Sequence, residues 1–423
     1  MSAPEPLVRQ VLGEVEEALA VLRRRGALRS HDVERVQAAT LVDDALQRHA
    51  ARRAAEGLPA LGEAEEYQVR DAVLAQLFGD ANPLLDLVAD PSVSTAWVMG
   101  CDRVFLELTD GTIVPGPEVA ETNEELEALI RRAGLRSSER SFDRVNPRLH
   151  TRLPDGTRLH AVNWVSPAPI VVLAAHRHPD WEADDLVRVG MMDQGVADLL
   201  TAGVRAGLTI IASGGGGTGK TTLVRALAAA IPPDTAIATV ESSFELDLDP
   251  VRHPLVMAME AREPNIEGQG EVAMAELASW TMLMRARRLI VGEVIDTEVE
   301  TMLKLANSGH PTMATVHANS SADAIDKLAL LARMSPNRLE SDVAYELVGK
   351  SVDLVVHLAP NQRGVGGHVA SVREILGVER GRVDSNEVYR PGPDGRAVPG
   401  DPLRATTRER LVTHGYELPA VQR

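Results

Sequence analysis

Residues 213–222 read Ser-Gly-Gly-Gly-Gly-Thr-Gly-Lys-Thr-Thr and contain the full GxxxxGK[ST] pattern. Chemistry on a phosphate chain needs main-chain N–H groups that converge on oxygen anions. Gly214, Gly215, Gly216, Gly217 and Gly219, with the small Thr218 between them, permit that convergence. A helix begun at the end of the loop adds its positive dipole end. Lys220 offers a point charge to β- and γ-phosphates, the Thr221 hydroxyl is placed to complete a Mg²⁺ shell, and Thr222 extends the same turn. The ligands implied are ATP and Mg²⁺.

Three further segments carry groups that could act on such a ligand. The first, Arg288-Leu-Ile-Val-Gly-Glu293, is an apolar strand ending in a carboxylate about 70 residues after the loop, where Glu293 could hold a metal or polarise water. A buried strand ending in Glu also occurs for purely structural reasons. In the second, Val240-Glu-Ser-Ser-Phe-Glu-Leu246, Glu241 and Glu245 follow another strand, within reach of a catalytic position or as a solvated acidic turn. The third, 308–319, puts His310 and His317 on either side of a strand. With one cysteine in the chain and no third spaced histidine, a phosphate or neighbouring-subunit contact fits them better than zinc.

These groups need elements to hold them. From residue 186 onward, short apolar strands over 208–212, 236–240, 255–259, 289–291 and 313–316 alternate with helices, notably 218–230, 272–287 and 298–306. The expected fold class is α/β, a mostly parallel sheet covered on both faces. Before it, residues 96–99 and 104–108 read as strands, 109–112 as a turn, and Thr122 with Glu125 as a capping box opening a helix over 124–133. Arg152-Leu-Pro-Asp-Gly-Thr-Arg158 reads as a hairpin turn flanked by arginines, and residues 176–181 as a linker. The first 80 residues carry three helical stripes: Leu7, Val11, Val15, Leu19 and Leu22; Val33, Val36 and Leu41; Val69, Val73, Leu74 and Leu77.

The chain of 423 residues carries 61 acidic against 44 basic side chains, a formal charge of −17, and 3% aromatic residues. That field repels a nucleic-acid backbone and leaves few stacking platforms, so direct nucleic-acid binding is not expected. No apolar run approaches the ~20 residues of a membrane span, and the N-terminus has no secretory pattern. A single cysteine adds to the expectation of a reducing, cytoplasmic setting.

Together the loop, the Glu241 box and the histidine box ending Thr315-Val-His-Ala-Asn319 resemble the secretion-ATPase superfamily, most closely its Tad/CpaF branch, which powers Flp-type pilus assembly. Weaker matches are Pro83-Leu-Leu, Asp90-Pro-Ser-Val, Asp102-Arg-Val-Phe and the 152–158 segment. The resemblance implies a helical bundle over 1–80, an α+β domain over 82–178 and a RecA-like domain over 179–423. It implies a homo-hexamer working at a platform protein of the inner membrane, with which the motor associates peripherally. It also makes Glu241 and Glu245 the acidic-box glutamates, Glu293 the Walker-B glutamate, and His310 and His317 the histidine-box pair. Arg285 and Arg288 match basic positions before Walker B, and Arg140, Arg152 and Arg158 match N-terminal-domain arginines that reach towards nucleotide. The sequence departs from the branch where Ser242 replaces an acidic residue and Ile295 an arginine.

Overall fold

The computed structural model describes residues 5–24, 31–55, 61–78, 82–135, 142–153, 155–175, 180–264, 268–361 and 366–417. The chain forms two compact units, Met1–His176 and Arg177–Arg423. The linker segment expected at 176–181 and the candidate Arg140 fall largely or wholly outside the described residues.

In the first unit the three stripes become α1 (Glu5–Arg24), α2 (His31–Ala55) and α3 (Glu63–Phe78). Leu7, Val11, Val15 and Leu19 of α1 share a core with Val42 and Leu46 of α2 and with Val69, Val73 and Leu77 of α3. After a single turn, α4 (Pro83–Asp86), come β1 (Val93–Met99), β2 (Val104–Leu108), β3 (Ile113–Pro115), α5 (Asn123–Leu135), β4 (Arg148–Arg152), β5 (Arg158–Val162) and β6 (Ile170–Ala174). The six strands form an antiparallel sheet ordered β3-β2-β1-β6-β5-β4. Alternation buries Ala96 and Val98, Leu149 and Thr151, Leu159 and Ala161, and Val171 and Leu173. The apolar residues among them join Leu126, Leu129 and Ile130 of α5 in one core. The start of α5 is capped as its sequence suggests: the Glu125 amide donates to Thr122 Oγ1 at 3.2 Å, and the Glu125 carboxylate accepts from the Glu121 amide at 2.9 Å.

The second unit contains α6 (Ala183–Arg188), α7 (Gln194–Arg205), β7 (Ile210–Gly214), α8 (Lys220–Ala228), β8 (Ile237–Glu241), β9 (Val256–Glu260), α9 (Met274–Leu283), β10 (Arg288–Val294), α10 (Glu298–Asn307) and β11 (Thr312–His317). It continues with α11 (Ser321–Met334), α12 (Ser341–Ser351), β12 (Leu354–Pro360), β13 (Gly367–Glu379), β14 (Arg382–Pro391), β15 (Ala397–Pro399) and α13 (Ala405–Thr413). One nine-stranded sheet runs β15-β14-β13-β12-β7-β11-β10-β8-β9. From β12 to β9 every pairing is parallel, whereas β12 to β15 pair antiparallel.

Both faces are covered, because alternate residues of the parallel strands enter different cores. Ile210, Ala212, Ile290 and Val356 pack with α7 and α8; Ile211, Val240, Val291, Val316 and Val355 pack with α9 to α12. Burying each of the Ile and Val side chains among them contributes about 1.5–3 kcal/mol.

The elements differ most from the sequence expectation at three places, each for a physical reason. α8 starts at Lys220, not at residue 218, because Gly219 holds φ 89°, outside the helical region. α9 is shorter at both ends: Val272 pairs with Arg262 in an isolated bridge, and Arg285 has φ 54°, which ends helical geometry. The sheet is mixed because the chain beyond residue 366 folds back as the ribbon β13–β15, whose Gly and Pro content disguises its strands.

Candidate functional site

In a parallel sheet the carboxyl ends of all strands face the same way, and ligand chemistry collects there. β7 ends in Gly214, β8 in Glu241 and β11 in His317, while β10 carries Glu293 one residue from its end. In register, His317 and Leu358 flank Gly214 on either side.

The loop is built by main-chain geometry that only glycine adopts freely. Gly214 has φ 154°, and a Cβ placed on it would stand 2.5 Å from the Leu358 carbonyl oxygen and 2.8 Å from Thr218 Oγ1. Thr218 Oγ1 donates to the Gly215 carbonyl at 2.9 Å, and Lys220 Nζ donates to the same oxygen at 2.8 Å. Lys220 is 8% exposed; burial holds its ammonium below the usual lysine pKa, against the opposing pull of the Glu293 charge. A phosphate arriving there would restore what burial removes. The first turn of α8 has no side-chain cap, which leaves its amide donors for an anion.

A chain of contacts leads away from Lys220. Nζ lies 3.5 Å from His317 Nδ1, and His317 Nε2 lies 2.6 Å from Glu293 Oε1. The consistent assignment puts the His317 proton on Nε2, donating to Glu293, with Nδ1 accepting from Lys220. Beside them, Thr221 Oγ1 donates to Glu245 Oε2 at 3.3 Å. The carboxylate that touches Thr221 is therefore Glu245, while Glu293 is engaged by His317.

Glu241 does different work. It is 2% exposed, and its Oε2 accepts from the amides of Glu245 at 2.8 Å and Leu246 at 2.9 Å, which folds the acidic turn. Gly292 faces it; a Cβ there would come 2.9 Å from Glu241 Cγ. The Gly292 carbonyl accepts from Thr315 Oγ1 at 2.6 Å, tying β10 to β11 just before Glu293.

Among the described residues no three His, Cys, Asp or Glu side chains cluster as a metal cage. A Mg²⁺ ion needs fewer: one or two protein oxygens with nucleotide phosphates complete its shell. The Thr221 hydroxyl, with the carboxylates of Glu245 and Glu293 near the loop, suits that chemistry.

Other candidates lie elsewhere. Arg288 opens β10, five residues before Glu293, about 17 Å away at ~3.3 Å per strand residue. Its Nη2 donates to the Val204 carbonyl at 3.0 Å, and burial, with Arg410 nearby, lowers its pKa. Arg285 sits in the turn leading to that strand. His310 precedes β11 at the same amino edge, and its buried Nδ1 has no hydrogen-bond partner. These three are not brought to the loop of their own chain. In the first unit, Arg152 and Arg158 face each other across the hairpin of β4 and β5, as the sequence suggested. Sequence reasoning missed the wall behind the loop. Besides Leu358, it contains Met191, whose Cε would lie 2.8 Å from a Cβ on Gly219, and Gly367, where a Cβ would meet Thr218 O at 2.7 Å.

Fold and site define a P-loop α/β protein with a phosphate-binding loop at the carboxyl edge of its sheet. The chain belongs to the Type II/IV secretion system protein family, which matches residues 79–363. It is similar to a putative conjugal transfer protein of Mycobacterium tuberculosis, 34% identical over 180 residues, 42% of this chain and 50% of that protein. It thus spans about half the length of that relative. A type IV secretion system protein PtlH homolog of Bordetella bronchiseptica is 30% identical over 265 residues, 56% of this chain and 77% of that one. Among solved structures, the VirB11 ATPase from the Brucella suis type IV secretion system is 23% identical with a TM-score of 0.37, over 70% of this chain and 94% of that one.

Proposed function

We propose that the chain is a Mg²⁺-dependent ATPase that works as a ring, a homo-hexamer, and drives transport or filament assembly at an inner-membrane platform protein. The observation that carries this reading is the convergence of Lys220, His317 and Glu293 at the mouth of a complete phosphate loop. Loop amides and Lys220 bind and orient the β- and γ-phosphates. Mg²⁺, when bound, supplies charge neutralisation on the phosphate oxygens, with Thr221 and an acidic side chain as its protein ligands. Glu293, oriented by the His317 N–H, is a carboxylate suited to take a proton from an attacking water. Glu241 keeps the acidic turn and Glu245 in place. Among the described residues no helix is long and apolar enough to cross a membrane; peripheral attachment through a partner is the reading proposed.

The Tad/CpaF branch is the reading favoured by the motifs. A conjugation-type export motor is the second reading, favoured by relatives bearing conjugal transfer and type IV secretion names. Stimulation of turnover by DNA supports the second; indifference to DNA supports the first.

Glu293→Gln separates binding from chemistry. It keeps shape and hydrogen bonding but not the charge, so ATP binding persists while turnover falls on the order of 10²-fold or more. Equal losses of binding and turnover would assign Glu293 a structural role instead.

A further inference from the structure

His357 lies on β12 directly beside Ser213 on β7, the residue before Gly214. Its Nδ1 is 3.1 Å from Ser213 Oγ, and that oxygen is 3.3 Å from the Val356 carbonyl oxygen. A hydroxyl has one proton to give. Both contacts are satisfied together when His357 carries its proton on Nδ1: the ring then donates to Ser213 Oγ, and the hydroxyl donates to Val356. Ser213 is fully buried and His357 is 9% exposed. Burial holds the imidazole below its usual pKa, against the pull of Asp323, which favours the neutral ring near pH 7.

This pair stands where the chain leaves the sheet to enter the loop. The next residue of β12, Leu358, already crowds Gly214 from one side. A change in the angle at 213–214 would displace every loop amide that follows, and displacements of about 1 Å are enough to cost a positioned site much of its effect.

We propose that His357 is a positioning residue of the phosphate-binding loop: through Nδ1 it locks the Ser213 hydroxyl to the Val356 carbonyl and so sets the geometry with which Gly214 departs from β7. The inference rests on the nucleotide-binding reading above and deepens it. It assigns a role to a side chain outside the phosphate motif, the acidic box and the histidine box.

The test compares ADP binding to the purified full chain, by titration calorimetry, with the melting temperature of the nucleotide-free protein. His357→Leu should raise the ADP Kd about tenfold, which is about 1.4 kcal/mol, with little change in nucleotide-free melting. His357→Asn should recover most of the affinity, because its amide nitrogen falls where Nδ1 was. His357→Gln, whose amide nitrogen falls nearer the Nε2 position, should not. Ser213→Ala should weaken binding to a similar degree, and the Ser213→Ala, His357→Leu double variant should be no worse than either single one. Wild-type affinity in His357→Leu would overturn the proposal, as would equal rescue by Asn and Gln or fully additive losses in the double variant. Should the Leu variant not fold, the Asn and Gln pair decides alone. Failure of the wild type to bind ADP would instead remove the nucleotide reading itself, and this inference with it.

Discussion

Replacing Glu241 by alanine should unfold the second unit at a markedly lower temperature, whether or not nucleotide is present. The carboxylate is 2% exposed and accepts two main-chain hydrogen bonds, from Glu245 and from the fully buried Leu246. Removing it leaves the buried Leu246 amide and the half-buried Glu245 amide unmatched, at up to roughly 1–3 kcal/mol each. The sum, roughly 2–6 kcal/mol, is a large part of the 5–15 kcal/mol that holds a typical domain together. At about 2–4 °C per kcal/mol for a unit of this size, melting should fall by roughly 5–20 °C. Glu241→Gln keeps a carbonyl oxygen for the two amides and should recover much of that loss. Thermal unfolding followed by circular dichroism, without nucleotide, is the assay. If Glu241→Ala melts with the wild type but loses turnover, the carboxylate acts on the ligand and does not hold the acidic turn.

Two other outcomes can be measured. Burial raises the pKa of Asp353 above the ordinary carboxylate value, outweighing the hydrogen bond it accepts from the Thr209 amide at 2.7 Å. The folded chain then binds that proton more tightly than the unfolded one, so this residue's contribution to stability falls as pH rises from 3.8 through the folded pKa. Asp353→Asn keeps an acceptor for Thr209; it should melt higher than wild type near pH 7, and the difference should close on acidification. Should Arg152 and Arg158 reach nucleotide, as the family resemblance implies, Arg152→Ala and Arg158→Ala would lower turnover at saturating ATP while leaving folding intact, since a well-placed arginine contributes ~10³-fold to phosphoryl transfer; unchanged turnover in both would confine them to their hairpin.

The phosphate loop was legible in the sequence because its chemistry demands a contiguous pattern, and no other part of the fold writes itself so locally. Strand ends were legible where an apolar run stops in a polar residue, as at Glu241 and His317. Sequence placed His310 and His317 on either side of a strand, and the structure agrees: one precedes β11 and the other ends it. What sequence did not tell was which of the two ends faces the phosphate loop. Arg288 and Glu293 divide in the same way along β10. Leu358, Gly367 and Met191 were invisible because the parallel strand β12, the first strand of the ribbon and the loop before α7 bring them to the site from other parts of the chain, and no local pattern records such a return. The length of α9 was overestimated for a related reason. Residues 272–287 suit a helix by composition, but the bridge at Val272 and the left-handed turn at Arg285 are tertiary choices.

Phosphate release from ATP by the purified chain, with Mg²⁺ and beside its Lys220→Ala variant, tests the central claim most directly. Lys220 reaches into the loop, donating to Gly215 at 2.8 Å, and joins the line that ends at Glu293. The expected result is turnover by the wild type that chelation of Mg²⁺ removes, with no turnover and weakened nucleotide binding in Lys220→Ala. Near-wild-type hydrolysis by Lys220→Ala would contradict the assignment of this loop as the site of ATP chemistry.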